Sequence, residues 1–148
     1  MYASQITQIL RGNPKTSQIF QGCFPCNQLP NPNMCKGKIL IINLDPFGYE
    51  GSHWISLFVN ERNEVFYFDS LSLPTSICII NSFLKNFSKI VKNLKPYQNP
   101  DSKTCAHHCI SFVYFLSQGL NFTQYLKMLN KKPNTDLFVI KIVNKLIN

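Results

Sequence analysis

Four residues of the types used in nucleophilic catalysis occur in one order along the chain: His53, Asp69, Gln98 and Cys105. A cysteine thiolate paired with an imidazolium is the working state of a cysteine nucleophile. An acid beside the histidine fixes its tautomer and stabilises the charged ring. A side-chain amide next to the nucleophile can donate a hydrogen bond to the oxyanion of a tetrahedral intermediate. The order therefore indicates cysteine-dependent acyl transfer.

The elements around His53 and Asp69 predict that these two side chains meet. The segments HWISLFVN (53–60) and EVFYFD (64–69) flank the polar turn ERN, which is typical of a β-hairpin. In an antiparallel hairpin the start of one strand lies near the end of the next. We therefore expect His53 and Asp69 at the same rim of the sheet. Without further partners, a salt bridge or hydrogen bond at the hairpin end with no catalytic role would be the favoured explanation.

Cys105 is predicted to lie in the first turn of a buried helix. Ser102 and Thr104 are good N-cap residues, and the apolar stretch that follows is closed by Gly119. Unpaired backbone N–H groups and the helix dipole favour a thiolate at such a position. Cys109, one turn later, fits a small buried core residue instead.

The remaining sequence patterns define the fold class. A helix is expected at 2–10, an extended turn-rich segment at 12–33, a buried strand at 38–44 and a loop at 45–52. Further on we expect a helix at 76–94, a short strand at 95–98, and helices at 122–130 and 135–147. Separate β and α blocks predict one α+β domain over residues 1–148, with a mainly antiparallel central sheet flanked by helices.

Composition limits the classes of partner. The chain is 45% hydrophobic and 15% charged, so it should fold, and its net charge of +8 favours contact with polyanions. Lys85, Lys89 and Lys92 would form a stripe on the predicted helix 76–94, either as a DNA contact or as a solvated face. The chain has six cysteines. Its N-terminal segment does not read as a signal peptide, and no apolar run is long enough to span a membrane. We therefore expect free thiols in an intracellular protein that is not secreted and has no membrane partner.

Four blocks together resemble the adenovirus-type endopeptidases, or adenain-like cysteine proteases. The blocks are FPCNQLP, GSHWISLF, VFYFDSLSLP and QNPDSKTCAHHCISFVYFLSQG. Within the family, the resemblance is closest to the shorter proteases of adenovirus-like animal viruses and Maverick/Polinton-type elements. The resemblance implies a papain-like/adenain-like fold with the nucleophile at the N-terminus of a buried helix. Residue by residue, it implies Cys105 as nucleophile, His53 as general base and acid, Asp69 as its orienting acid, and Gln98 as oxyanion donor.

The same resemblance implies two substrate-site residues and a biological role. Trp54 would shield the site beside His53, and Ala106 stands where the family usually has glycine. The substrates would be viral capsid or core precursors, cleaved during virion maturation in the virion and the host nucleus. The chemistry would need no cofactor; viral DNA and a peptide activator are the additional contacts that the family implies. We expect a monomer.

The SUMO- and ubiquitin-like-deconjugating proteases form a competing hypothesis. They share the His, Asp, Gln, Cys order, but they usually place the glutamine one residue nearer the cysteine. They also tend to have an acidic residue directly before the nucleophile. The seven-residue spacing from Gln98 to Cys105 and the presence of Thr104 favour the adenain-like branch.

Three further hypotheses dispense with this chemistry. A zinc site could use Cys105, His108 and Cys109 together with the pair at 23 and 26, but it would leave His53, Asp69 and Gln98 unexplained. A basic nucleic-acid-binding domain and a degenerate protease scaffold would each need no catalysis. The roles of His107 and His108 stay open at this point.

Overall fold

A computed structural model describes residues 1–45 and 53–148, so most of the predicted loop 45–52 lies outside the described residues. The helices are α1 (Ala3–Arg11), α2 (Pro14–Ile19), α3 (Cys78–Leu84), α4 (Cys105–Ser117), α5 (Phe122–Asn130) and α6 (Thr135–Ile147). The strands are β1 (Phe20–Pro25), β2 (Ile39–Asn43), β3 (Trp54–Val59), β4 (Glu64–Phe68) and β5 (Lys89–Lys92), and a 3₁₀ turn covers Pro32–Met34. Among the described helices, none is long and apolar enough to cross a membrane.

The five strands form one mixed sheet in the order β1-β2-β3-β4-β5. The central pairs β2–β3 and β3–β4 are antiparallel, as predicted, and β3–β4 is the expected hairpin. The outer strands β1 and β5 run parallel to their neighbours, which corrects the mainly antiparallel description. With helices flanking this sheet, the α+β class is confirmed.

The segment 12–33 is more regular than its prolines and glycines indicated. Asn13 caps α2 by accepting hydrogen bonds from the backbone N–H groups of Lys15 and Thr16, and Pro14 occupies the first helical position. Proline is well tolerated there because its missing N–H would be unpaired in any case. β1 then forms because it can pair with the buried strand β2, a contact that no local signal reveals.

The predicted helix 76–94 is wrong in its second half. α3 ends at Leu84, and the side chain of Asn86 donates hydrogen bonds to the Ser82 and Phe83 carbonyls. Ile90 and Val91 then pair with β4, where β-branched side chains fit well. The predicted short strand at 95–98 is absent, since the N–H groups of Tyr97 and Gln98 donate to a loop carbonyl instead.

This change removes the predicted lysine stripe. Lys85 follows the end of α3, whereas Lys89 and Lys92 lie on the edge strand β5. The Lys92 ammonium donates to Thr75 Oγ1 over 2.8 Å and lies 5.0 Å from the centre of the Tyr67 ring. Lysines on an edge strand commonly prevent unwanted strand pairing. The helical arrangement on which the DNA prediction rested is therefore absent.

The hydrophobic core lies on both faces of the sheet. In β2, Ile39 and Ile41 face one cluster while Leu40 and Ile42 face the other, which explains the continuous apolar run. α4 packs on the first face, where the Phe112 ring stacks parallel on Phe68 with centroids 5.2 Å apart. This packing places the first turn of α4 against one end of the β3–β4 hairpin, where His53 and Asp69 lie.

Candidate active site

His53 and Asp69 meet at the rim of the sheet. His53 directly precedes β3, Asp69 directly follows β4, and His53 Nε2 lies 2.6 Å from Asp69 Oδ1. Both residues are buried, with 6% and 2% of their surface exposed. Since Nε2 is committed to the carboxylate, Nδ1 is the ring nitrogen left for the nucleophile. The predicted juxtaposition at the hairpin end is confirmed.

Asp69 is itself held on two sides. Its carboxylate accepts hydrogen bonds from the backbone N–H groups of Leu71 and Leu73, at 2.9 and 3.1 Å. The buried side chain of Asn93 accepts from the Asp69 N–H at 2.9 Å and donates to its carbonyl at 2.7 Å. Sequence reasoning missed Asn93 because it placed this residue inside a helix. Its only signal was an asparagine two residues after the β-branched pair Ile90–Val91.

Cys105 is the first residue of α4, with Thr104 at the N-cap position. Burial alone would raise the pKa of its thiol, but the hydrogen bond to His53 lowers it. Backbone N–H groups of Trp54 and Ala106 and the positive charge of His53 act in the same direction, so the pKa of the thiol falls below its ordinary value. A thiolate is therefore favoured at this position.

The pKa of His53 shifts in the complementary direction. Burial lowers it, but the hydrogen bonds to Asp69 and Cys105 and the charges of these two groups outweigh burial and raise the pKa to about 9. A lowered thiol pKa beside a raised histidine pKa favours the state in which the imidazole carries the proton and the thiol is ionised. The three side chains thus have the geometry and the charge distribution of an activated cysteine nucleophile.

Gln98 is fixed close to this triad by Ser70, the residue after Asp69. The Ser70 hydroxyl donates to Gln98 Oε1 over 2.6 Å, and the Ser70 carbonyl accepts from the Gln98 N–H at 3.0 Å. Gln98 Nε2 donates one hydrogen to the Ser102 carbonyl at 3.0 Å. Its second amide hydrogen remains for the groove that Gln98 and Cys105 line together.

The triad opens into a groove of about 890 Å³. Trp54 and the segment 1–4 form one wall, and the Trp54 indole N–H donates to the Met1 carbonyl over 3.3 Å. Ala106 also lines the groove, with 2% of its surface exposed. The structure therefore places both predicted substrate-site residues, Trp54 and Ala106, in the groove that Cys105 lines.

Comparison with known proteins decides the family. A family model described as the Ulp1 protease family, C-terminal catalytic domain, matches residues 35–142, which include all four candidate catalytic residues. The chain belongs to the Ulp1 protease family. It is thus a cysteine protease, and proteases of this type need no cofactor for the chemical step.

Solved structures agree with the fold of a Ulp1-family protease. The structure of ChlaDub1 from Chlamydia trachomatis superimposes with a TM-score of 0.52 at 15% identity, covering 98% of this chain and 77% of that chain. Eleven chains of solved structures match in all. No curated protein sequence gives a match. The family match supports the predicted cysteine protease, but it does not support the adenovirus-type group in particular, which the sequence motifs resemble.

The zinc hypothesis does not fit this Ulp1-family site. His108 turns its Nε2 towards Asp136, at 2.8 Å, and Cys109 is buried in the core with 1% exposure. In residues 1–45 and 53–148, no group of three or more potential ligands could hold a metal ion. The six cysteines, all of them within these residues, are unpaired.

The thiolate–imidazolium pair predicts a specific pH dependence. As pH rises, the thiolate forms at the lowered pKa of Cys105, and the imidazolium is lost only near pH 9. We expect kcat/KM to rise below the ordinary thiol range and to fall as pH passes through about 9. The pH profile of kcat/KM checks both limbs, and the rate of iodoacetamide alkylation of Cys105 checks the rise, measured in a Cys78→Ser variant that lacks the exposed thiol. Alkylation that follows the titration of an ordinary thiol would contradict the pairing.

Ser70→Ala should slow catalysis without unfolding the protein. Loss of the 2.6 Å hydrogen bond leaves the Gln98 amide free to rotate away from the groove. One hydrogen bond contributes about 1 kcal/mol, so we expect kcat to fall roughly fivefold with KM nearly unchanged. Ser88→Ala is the matched control, because the Ser88 hydroxyl donates to the carbonyls of Arg62 and Asn63, far from Gln98 in the sequence. Equal rates for both variants would show that Ser70 does not orient the amide.

Proposed function

We propose that this Ulp1-family protease releases ubiquitin-like modifiers by hydrolysing the bond that follows their C-terminal tail. The observation that carries this proposal is the contact of the half-buried Cys105 with the buried His53–Asp69 pair, within a chain segment that matches the Ulp1 catalytic domain. The family match supports deconjugation better than cleavage of viral precursors. The catalytic roles of the individual residues belong to the same proposal.

Acylation begins with attack of the Cys105 thiolate on the carbonyl carbon of the scissile bond. The negative charge on the carbonyl oxygen is stabilised by the free Gln98 amide hydrogen and the backbone N–H of Cys105. The His53 imidazolium then gives its proton to the leaving amine, which departs and leaves a thioester on Cys105. Asp69 keeps the ring oriented throughout, since its 2.6 Å bond fixes Nε2 and directs Nδ1 at the reacting atoms.

Deacylation uses the same residues in the opposite direction. Neutral His53 takes a proton from a water molecule, whose oxygen attacks the thioester carbonyl. Collapse of the second tetrahedral intermediate breaks the carbon–sulfur bond, releases the carboxylic acid and restores the Cys105–His53 pair. No group beyond the chain and water takes part.

The groove favours an extended substrate tail with small residues at the scissile bond. Trp54 stands on one side of the nucleophile, and the Ala106 methyl group occupies space that glycine would leave open. A bulky side chain at the cleaved carbonyl would meet these groups. Narrow tails of ubiquitin-like modifiers satisfy this requirement.

A second candidate function rests on the spacing of two catalytic residues. We infer from the seven-residue step between Gln98 and Cys105, with Thr104 before the nucleophile, that an endopeptidase of the adenovirus type is the main competitor. Its substrates would be viral precursor proteins in the virion or host nucleus. The proposed DNA contact has weaker support than the protease chemistry, because Lys89 and Lys92 lie on β5 and form no helical stripe.

One experiment separates these functions. The purified chain is assayed on C-terminal fluorogenic derivatives of ubiquitin and SUMO, and in parallel on a proteome-derived peptide library with and without DNA. We expect release of the fluorophore from at least one modifier, and none by Cys105→Ala. Cleavage confined to library peptides would replace deconjugation by endoproteolysis. Absence of all cleavage, with Cys105 still reactive towards iodoacetamide, would overturn both.

A further inference from the structure

The first turn of α6 contacts the loop that joins Gln98 to Cys105. Asp136, the second residue of α6, accepts three hydrogen bonds from outside its own helix. Its Oδ2 accepts from the Asn99 N–H at 3.0 Å, and its Oδ1 accepts from Thr104 Oγ1 at 2.6 Å and from His108 Nε2 at 2.8 Å. Asn99 directly follows Gln98, and Thr104 directly precedes Cys105. One carboxylate therefore holds both ends of the loop.

The neighbouring residue of α6 holds the other side of Gln98. The Thr135 hydroxyl donates a hydrogen bond to the Tyr97 carbonyl. The Tyr97 hydroxyl in turn donates to Asn130 Oδ1 at 3.1 Å, at the end of α5. The backbone on both sides of Gln98 is thus fastened to the helical layer, independently of the Ser70 contact.

The charges in this cluster show how Asp136 works. Burial raises the pKa of Asp136, but hydrogen bonds from Thr104, His108 and the Asn99 N–H lower it further than burial raises it. Burial also lowers the pKa of His108, and the nearby carboxylate does not offset this. His108 is therefore a neutral histidine that donates through Nε2. Its Nδ1 has no hydrogen-bond partner in the described part of the chain, as a neutral acceptor nitrogen allows.

We propose that Asp136 is a positioning residue that fixes the Asn99–Thr104 loop, so that the Gln98 amide and the Cys105 backbone N–H converge on one oxyanion. His108, three residues after Cys105 in α4, donates the third hydrogen bond that Asp136 accepts. The proposal rests on the proposed oxyanion role of Gln98. It assigns a role in the reaction to a residue 31 positions beyond the nucleophile (136 − 105) that touches neither substrate nor triad.

The test is Asp136→Asn, which keeps the size of the side chain but loses acceptor capacity and charge. We expect kcat to fall about tenfold with KM changed less than about twofold, because the oxyanion donors matter mainly in the transition state. Alkylation of Cys105 by iodoacetamide passes through no oxyanion, so its rate should stay within about twofold of the parent protein. Asp101→Asn is the control: Asp101 is exposed in the same loop, and no contact of its carboxylate with the catalytic residues is seen. It should keep full activity.

A double-mutant cycle with Gln98→Ala decides whether Asp136 acts through Gln98. We expect the tenfold effect of Asp136→Asn to shrink to about twofold or less when Gln98 is already alanine. An undiminished effect in that background, or a parallel fall in alkylation rate, would overturn the proposal and indicate a general structural role. If Asp136→Asn fails to fold, Thr104→Val removes one of the three hydrogen bonds and is tested in the same cycle.

Hydrogen–deuterium exchange keeps this inference separable from the proposed function. Amide exchange in residues 99–104 should be faster in Asp136→Asn than in Asp101→Asn, while α4 beyond its first turn stays protected. Unchanged exchange would overturn the positioning role even in an active enzyme. If the parent chain cleaves neither modifiers nor peptides, the proposed function fails, whereas faster loop exchange would still show that Asp136 fixes the loop.

Discussion

Replacing Cys105 with alanine will abolish turnover of any substrate that the parent protein cleaves. The methyl group of alanine cannot attack a carbonyl, and no other described thiol lies in the groove to take its place. We expect kcat to fall by at least about 10³-fold, since what remains is catalysis by binding and oxyanion stabilisation alone. The fold should persist, because a small side chain at the first position of α4 is well tolerated.

The control for this variant is Cys78→Ala. Cys78 is the exposed cysteine at the start of α3, and it lines no part of the groove. Its removal should leave turnover unchanged and should abolish only background labelling by thiol reagents. Turnover by Cys105→Ala above about one per cent of the parent rate would refute a cysteine mechanism at this position.

The triad could be predicted because each of its members sits at the end of a locally encoded element. The hairpin 53–69 has two apolar segments separated by a short polar turn, so local sequence alone predicts that its two ends meet. Cys105 begins a helix marked by cap residues and a terminal glycine, and Gly119 indeed has a positive φ of 103°. Only the packing of Phe112 on Phe68, which brings these elements together, required the three-dimensional structure.

The supporting residues could not be predicted because their partners are distant in sequence. Asn93 bonds Asp69 across 24 positions, and Asp136 bonds Thr104 across 32. Local patterns assigned Asn93 to a helix, whereas pairing of Ile90 and Val91 with β4 makes that segment a strand. Because sheet pairing outweighs helical periodicity in this segment, the lysine stripe is absent, and one of the arguments for a DNA contact is lost with it.

The family assignment shows a related limit of motif spacing. The step from Gln98 to Cys105 pointed to the adenovirus-type group, whereas the match over 35–142 places the chain in the Ulp1 family. One additional loop residue need not change the chemistry. Gln98 is fixed by Ser70 and by the first turn of α6, so its distance along the chain does not determine where its amide lies.

Replacing His53 with alanine should produce the second-largest loss, for two physical reasons. The thiol would lose the hydrogen bond and the positive charge that lower its pKa, so burial would raise the pKa of Cys105 instead. The leaving amine would also lose its proton donor. We expect kcat/KM to fall by about 10³-fold or more at neutral pH. The alkylation rate of Cys105 should fall at the same pH and recover only at higher pH.

His107→Gln provides the matched histidine control. His107 lies two residues after the nucleophile, is half-buried, and its Nδ1 has no hydrogen-bond partner among the described residues. It should leave both turnover and the pH dependence of alkylation unchanged. The pH dependence distinguishes a lost base from a damaged fold, since an unfolded chain would expose Cys105 as an ordinary thiol, whereas the folded His53→Ala variant keeps it half-buried with a raised pKa. If His53→Ala kept the alkylation profile of the parent protein, the helix terminus and backbone N–H groups would be what stabilises the thiolate. The mechanism based on a Cys105–His53 ion pair would then be wrong.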